Sequence, residues 1–190
     1  MSQLPPRRRR TLVGSVLSMV LVLSAGLAAS QLFGGGKTSY RAFKDPAGRF
    51  ELEYPTKDWK SLSLPGGTSN LAGFSHKDGP TLFVEHLRLD ERMTPDEIAA
   101  IPEVELNRLK ELQPKARDFK SDLVESKAGR GVLIRYARLG TEPESVMQYS
   151  ILIGQQDLYR LNAIVSDKLL PKYESIVKYM IQSFMAKPGA

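Results

Sequence analysis

The tripeptide Gly36-Lys37-Thr38 matches the last three residues of a phosphate-binding loop. That loop needs a first glycine five positions before the second, so that backbone N–H groups converge on phosphate oxygens. Gln31 stands there instead. The loop must also join a buried strand to an amphipathic helix, whereas a long apolar segment precedes it here and YRAFKDPAG follows. The sequence therefore predicts no nucleotide site, and residues 34–39 are interpreted as a flexible glycine-rich linker.

Catalysis by a histidine base would have to use His76 or His86, the two histidines of the chain. A serine nucleophile needs such a base and an acid that orients it, and no Gly-x-Ser-x-Gly elbow occurs. We interpret His76 as a solvent-facing residue near a turn. In a strand, His86 shares a face with Val84 and Arg88, which indicates a sheet-surface position. We predict no catalytic residue and no cofactor.

The segment LDERMTPDE contains four carboxylates, Asp90, Glu91, Asp96 and Glu97, in a short stretch. It lacks the spacing and the glycine of a calcium-binding loop, and acidic residues are favoured in the first turn of a helix for electrostatic reasons. We therefore predict no metal site. The alternative hypothesis is an extracytoplasmic hydrolase or metal-dependent enzyme with a site near residues 85–97, which would use Asp90, Glu91, Asp96 or His86.

The amino-terminal part of the chain carries an export or anchoring signal. Residues 11–33 contain no charge and are about long enough to cross a bilayer as a helix. The topology-determining residues Arg7, Arg8, Arg9 and Arg10 precede them, which predicts a basic cytoplasmic amino terminus over residues 1–10 and a carboxy-terminal domain outside the cytoplasm. A retained single-pass anchor in the cytoplasmic membrane is favoured. The alternative is signal-peptide cleavage, which would release a soluble exported protein.

The net charge of the chain is +6, from 27 Lys and Arg against 21 Asp and Glu. Four of the basic residues are Arg7 to Arg10, which leaves 23 basic against 21 acidic residues from Lys37 onward. A nearly neutral domain lacks the positive excess that a phosphate backbone requires, so no nucleic-acid partner is predicted. The chain has no cysteine and therefore no disulfide, so residues 40–187 must fold through their apolar core as one domain.

Alternation of apolar and polar residues predicts a series of strands after the linker. Phe50, Leu52 and Tyr54 alternate with glutamates, and Pro55 ends that strand. We expect Trp59 to seal one edge of the core. The other predicted strands are WKSLSL, LAGFSH, TLFVEHLRL, GVLIRYARL, SVMQYSILIG and LYRLNAIVS, with FKSDLVESKA as a further strand. Short polar connections between them favour antiparallel neighbours.

Two regions follow a helical period. Thr94 precedes Pro95 and stands three residues before Glu97, which predicts a capped helix start. We expect Pro102 to start a second helical piece, which ends before Pro114 and whose more apolar side carries Val104, Leu106, Leu109 and Leu112. The final segment PKYESIVKYMIQSFMAK predicts a helix whose apolar face comprises Tyr173, Ile176, Val177, Met180 and Phe184. The fold class is therefore α+β, with a mainly antiparallel sheet flanked by helices.

The order of several residues resembles the PsbP-like domain family. Its members open with Asp-Pro, Gly, an aromatic residue, Tyr-Pro and Trp, which correspond here to Asp45, Pro46, Gly48, Phe50, Tyr54, Pro55 and Trp59. The segments DLYRLNAIVS and IVKYMIQSFMAK are similar to the late strand and closing helix of the family. The resemblance covers roughly residues 40–187. It implies a PsbP/Mog1-type α/β/α sandwich and does not imply an enzyme; the photosynthetic role depends on a specific partner and is not carried over.

These observations predict an extracytoplasmic, membrane-tethered, non-enzymatic accessory or binding module. Its expected partners are the membrane, through the amino-terminal helix, and another protein. No nucleotide and no nucleic acid are expected to bind.

Overall fold

A computed structural model of the chain describes residues 38–64 and 69–188. The predicted basic amino terminus, the predicted anchor and Lys37 of the predicted linker lie outside these residues. No helix within the described ranges combines the length and the apolar character that a membrane span requires. The chain from Thr38 onward forms one compact unit.

Ten strands and two helices make up the described structure. The strands are β1 (Tyr40–Lys44), β2 (Phe50–Pro55), β3 (Trp59–Leu62), β4 (Asn70–His76), β5 (Thr81–Arg88), β6 (Arg117–Ser126), β7 (Gly129–Arg138), β8 (Glu144–Ile153), β9 (Asp157–Ser166) and β10 (Met185–Ala186). Helix α1 spans Pro95–Leu112, and helix α2 spans Leu170–Ser183.

The strands form two antiparallel sheets. The large sheet has the order β3-β4-β5-β9-β8-β7-β6, and the small sheet has the order β1-β2-β10. All the pairings within both sheets are antiparallel. The α+β class with mainly antiparallel sheets is confirmed, as is the strand predicted from FKSDLVESKA, which is β6. Strands β1 and β10 were not predicted.

The large sheet separates two apolar cores. On one face, α2 and the small sheet cover residues such as Phe74, Tyr149 and Leu161. On the other face, α1 covers a smaller cluster around Leu109, Ile134 and Val146. Strand alternation produces this division, because neighbouring residues of a strand point to opposite faces.

Helix α1 is a single helix, so the prediction that Pro102 starts a second piece was wrong. Thr94 accepts a hydrogen bond from the backbone of Glu97, and the Glu97 carboxylate accepts one from the backbone of Thr94, which completes the predicted capping box. Pro102 lies inside the helix and cannot donate to the carbonyl four residues before it. The helix continues because Ile101 and Leu109, on either side of Pro102, both pack on the same apolar cluster.

Helix α2 ends earlier than predicted. Tyr173, Val177 and Met180 are buried in the larger core, as expected for its apolar face. Phe184 is buried too, but its backbone is extended, so the helix stops at Ser183. The extended backbone at Phe184 allows Met185 and Ala186 to pair with β2.

Candidate functional site

A buried polar network lies between α1 and the large sheet. Glu105 of α1 is 3% exposed, and Arg160 of β9 is 9% exposed. The guanidinium donates from Nε to Glu105 Oε2 at 2.9 Å and from Nη2 to Oε1 at 2.8 Å, which is a bidentate pair. The Nη1 atom of Arg160 also donates to Glu85 of β5 at 3.4 Å. The pair ties the middle of α1 to the centre of the sheet.

Three further side chains complete the network. Arg108 donates to both carboxylate oxygens of Glu105, while Gln148 and Ser150 donate to Oε2 at 2.8 and 2.9 Å. Burial alone would raise the pKa of Glu105, but the hydrogen bonds and charges of Arg160 and Arg108 outweigh it and hold the pKa below its usual value. Both carboxylate oxygens of Glu105 therefore accept hydrogen bonds from protein groups, and the arrangement favours a structural role for this side chain.

An apolar groove runs beside this network, between the first half of α1 and strands β6 to β8. We call it the α1 groove; its volume is about 250 Å³. Its apolar lining consists of Ile98, Ala99, Ile101, Pro102, Leu123, Val132, Ile151 and Leu152. Gly131, Arg130 and Ser150 also line it; Arg130 donates to Glu125, and the Ser150 hydroxyl donates to Glu105. The groove therefore presents a mainly apolar surface whose two polar side chains already have hydrogen-bond partners.

Three exposed aliphatic side chains belong to the elements that form the α1 groove: Leu123, Val104 and Leu112. Leu123 on β6 is 62% exposed and Val104 on α1 is 57% exposed. The sequence predicted Val104 and Leu112 on the apolar side of the helix, yet both are exposed, while Glu105 is buried. That part of the prediction was wrong because Glu105, with its arginine partners beneath it, takes the sheet-facing position.

A second cleft, of about 450 Å³, lies near the start of α2 and contains charges of both signs. Arg135 contacts Asp122 at 2.5 Å and Glu174 at 3.7 Å. Asp122 lies outside the lining, which contains Asp118, Lys120, Arg135, Asp167 and Glu174; these charges distinguish the second cleft from the mainly apolar α1 groove.

His86 lies in a cross-strand ion cluster. Its Nε2 is 3.0 Å from Asp157 Oδ1, and Arg88 Nη1 donates to the other oxygen of Asp157 at 2.6 Å. The ring stacks on Tyr159 with centroids 4.6 Å apart, and its side chain is only 14% exposed. His86 is therefore partly buried on the sheet rather than open to solvent, because Tyr159 and the buried Asp157 cover much of the imidazole.

The four carboxylates of LDERMTPDE do not form a site with His86. Glu97 is engaged in the capping box of α1, and Asp96 occupies the first turn of the helix. Asp90 and Glu91 are exposed. Within residues 38–64 and 69–188, no group of three or more His, Cys, Asp or Glu side chains is placed to hold a metal ion.

His76 is buried, so its prediction as a solvent-facing residue was wrong. Its Nδ1 accepts a hydrogen bond from the backbone of Asp78 at 3.0 Å, and its ring lies 4.8 Å from that of Tyr173. Tyr173 donates to the Asp78 carboxylate at 2.7 Å. Burial lowers the pKa of His76. Trp59 packs against His76 and is 4% exposed, as predicted for a residue that seals the core.

Comparison of the sequence with protein-family models and with curated proteins gave no match. Comparison of the fold gave a match to cyanobacterial PsbP (CyanoP) from Synechocystis sp. PCC 6803, with a TM-score of 0.56 and 12% identity, over 84% of this chain and 99% of that chain. The described residues have a PsbP-like fold. LpqN of Mycobacterium tuberculosis is also similar, with a TM-score of 0.50 and 13% identity, over 82% of this chain and 88% of LpqN. At 12–13% sequence identity, these similarities concern the fold alone.

Sequence reasoning missed the Glu105 network of this PsbP-like fold. Two signals were present: Arg160 interrupts the apolar run of LYRLNAIVS, and Glu105 occupies a helix position between Ile101 and Leu109. A charged residue at a core position usually has a charged partner. Finding the partner required the fold, since 55 residues separate the two.

Proposed function

We propose that this chain is a non-enzymatic protein-binding module held outside the cytoplasm by residues 11–33. The observation that carries the binding role is the α1 groove. Its lining is mainly apolar, it is open to solvent, and it includes the exposed side chain of Leu123. Exposed apolar surface beside a groove is typical of sites that bind another protein.

The partner that fits the α1 groove is a protein segment with aliphatic anchor side chains. A volume of about 250 Å³ accommodates a few such side chains and is small for a large cofactor. Arg130 and Ser150 in its lining already donate to Glu125 and Glu105, so binding would rest mainly on apolar contact. The polar network beneath the groove would act as a rigid support for α1.

The alternative of a hydrolase or metal-dependent enzyme near residues 85–97 has one feature in its favour, the His86–Asp157 contact at 3.0 Å. Such a contact could orient an imidazole base. Asp157 also pairs with Arg88, however, and His86 is enclosed by Tyr159, which favours a structural tie between β5 and β9. Protein binding is therefore preferred.

The location outside the cytoplasm is proposed from the uncharged segment 11–33 and from Arg7 to Arg10 before it. The fold neighbour LpqN is described as involved in cell envelope biogenesis, which is compatible with such a location. A partner would then be an exported or membrane protein that meets the domain at the cell envelope.

The test compares three full-length tagged chains that are crosslinked in cells and purified: the wild type, Ile98→Glu and Ala100→Glu. Ile98 lines the α1 groove, whereas Ala100 is exposed on the same helix and does not line it. We expect a protein that the wild type and Ala100→Glu enrich equally and that Ile98→Glu loses. Equal enrichment of every captured protein by all three chains would contradict binding through the groove.

A further inference from the structure

The long free edge of the large sheet carries an inference that does not rest on the α1 groove binding another protein, although Leu123 belongs to both surfaces. Strand β6 is the last strand of the sheet and pairs only with β7 among the described strands. It has ten residues, whereas β3 at the opposite edge has four. Residues 120–123 are all exposed. Unpaired backbone groups along such an edge form a template for another strand.

We propose that β6 pairs antiparallel with β6 of a second copy of this chain, about a two-fold axis at Ser121. In this register Lys120 lies opposite Asp122 of the second copy, and Asp122 lies opposite its Lys120. Opposite charges directly across an antiparallel pair stabilise the pairing. The symmetry repeats the favourable pair on both sides of the axis.

The apolar residues of β6 fit the same register. Leu123 lines the α1 groove, and Phe119 packs on the same sheet face, where its ring stacks on Tyr136 with centroids 5.0 Å apart. Centring on Ser121 places Phe119 opposite Leu123 of the second copy. Leu123, which is 62% exposed in one copy, is thereby partly covered.

Charge selects this register over its neighbours. When the two-fold axis lies at a residue, directly opposite side chains of the two strands point to the same face of the sheet, because side chains alternate between the faces with a period of two. The registers to compare are therefore those centred on a residue. An axis at Lys120 would place Lys120 against its own copy, and an axis at Asp122 would place two carboxylates together. An axis at Leu123 would leave Asp122 opposite Val124, without a charge partner. Of these four, centring on Ser121 alone pairs opposite charges.

Two features limit the strength of the pairing. The β-bulge between Arg117 and Lys120, where Asp118 has φ of 58°, interrupts the edge at one end. Asp122 also accepts a hydrogen bond from its own Arg135, so the carboxylate would be shared. We therefore expect a small interface that exchanges readily in solution.

The absence of cysteine from the chain permits a direct test by disulfide crosslinking. In an antiparallel pair, opposite Cα atoms are about 4.5–5.5 Å apart, within the range that a disulfide spans. The full-length variant Ser121→Cys, in membranes from expressing cells, should form a covalent dimer on mild oxidation. Leu123→Cys should not, because residue 123 lies opposite residue 119. Lys57→Cys, at an exposed turn, controls for random collision.

Charge exchange on the Ser121→Cys background tests the register. Lys120→Asp or Asp122→Lys alone places like charges opposite each other and should reduce the rate of dimer formation about tenfold. The double variant with both changes should restore it. Three results would each overturn the proposal. They are no dimer of Ser121→Cys, equal crosslinking of Leu123→Cys, and an adduct of Ser121→Cys only with a different protein. A failure of the Ile98→Glu experiment would leave this result unaffected.

Discussion

Glu105 of α1 and Arg160 of β9 form a bidentate ion pair beneath the helix, with N···O distances of 2.8 and 2.9 Å. Both side chains are almost completely buried, and 55 residues separate them in sequence. Removal of water from two charges is costly, so such a pair stabilises a fold mainly when every polar group is satisfied. Arg108, Gln148 and Ser150 provide that satisfaction for Glu105.

Glu105→Gln should destabilise the domain strongly. The substitution leaves the buried guanidinium of Arg160 with only Glu85, at 3.4 Å, as a charged partner. We expect a loss of about 3 kcal/mol in the free energy of unfolding, measured by urea denaturation of purified residues 38–190. Glu103→Gln, on the exposed side of the same helix, should change it by less than about 0.5 kcal/mol. Equal effects of the two substitutions would show that the network is not a support for α1.

Stability should fall with acid in two ranges of pH. Burial lowers the pKa of His76 in the folded state. The contribution of neutral His76 to the free energy of unfolding is therefore complete above the unfolded-state pKa of about 6.5, and it is lost as the pH falls through the folded-state pKa. The pKa of Glu105 is held below its usual value, so its contribution is lost only below about pH 4.3. Urea midpoints from pH 8 down to acid should therefore decline in both ranges, and Glu105→Gln should flatten the lower one. A profile of Glu105→Gln parallel to that of the wild type would contradict this assignment.

Gly131→Ala should destabilise β7 by about 2 kcal/mol. A Cβ at this position would lie 2.5 Å from the carbonyl oxygen of Ser150 and 2.6 Å from the ring of Tyr149, so both the backbone of β8 and the buried ring would have to move. Gly140→Ala is the matched control, because the nearest atom to its Cβ would be 3.6 Å away. Thermal unfolding of both variants measures the difference. Equal melting temperatures would contradict the predicted clash with the Ser150 carbonyl and the Tyr149 ring.

Local patterns in the sequence predicted most elements of the fold. The alternation of Phe50, Leu52 and Tyr54 and the Thr94–Glu97 capping box depend on residues close in sequence, and both occur as predicted. Strand β10 was missed because two residues have no period of their own; they pair with β2 only after α2 brings them there. Three features were not predicted: the Glu105 network, the burial of His76 and the α1 groove. They depend on contacts between segments that are distant in sequence, and the local spacing of apolar residues carries no information about such contacts.

The proposed topology has a direct test, since single cysteines can be introduced into a chain that has none. Lys57→Cys lies in the exposed turn after β2 and should react with a membrane-impermeant maleimide in intact cells. Ser2→Cys, before the arginines, should react only after lysis. The reverse labelling pattern, or protection of both positions in intact cells, would contradict an extracytoplasmic domain.

Site-specific photo-crosslinking in living cells tests the central claim of protein binding at the α1 groove most directly. A photoreactive amino acid at Ala99, which lines the groove, should give a discrete adduct with another protein, whereas the same amino acid at the exposed Glu103 should not. Ile98→Glu should abolish the Ala99 adduct without unfolding the domain. Absence of an adduct from position 99 would contradict binding at the α1 groove. So would an adduct that also forms from position 103 and that Ile98→Glu leaves unchanged.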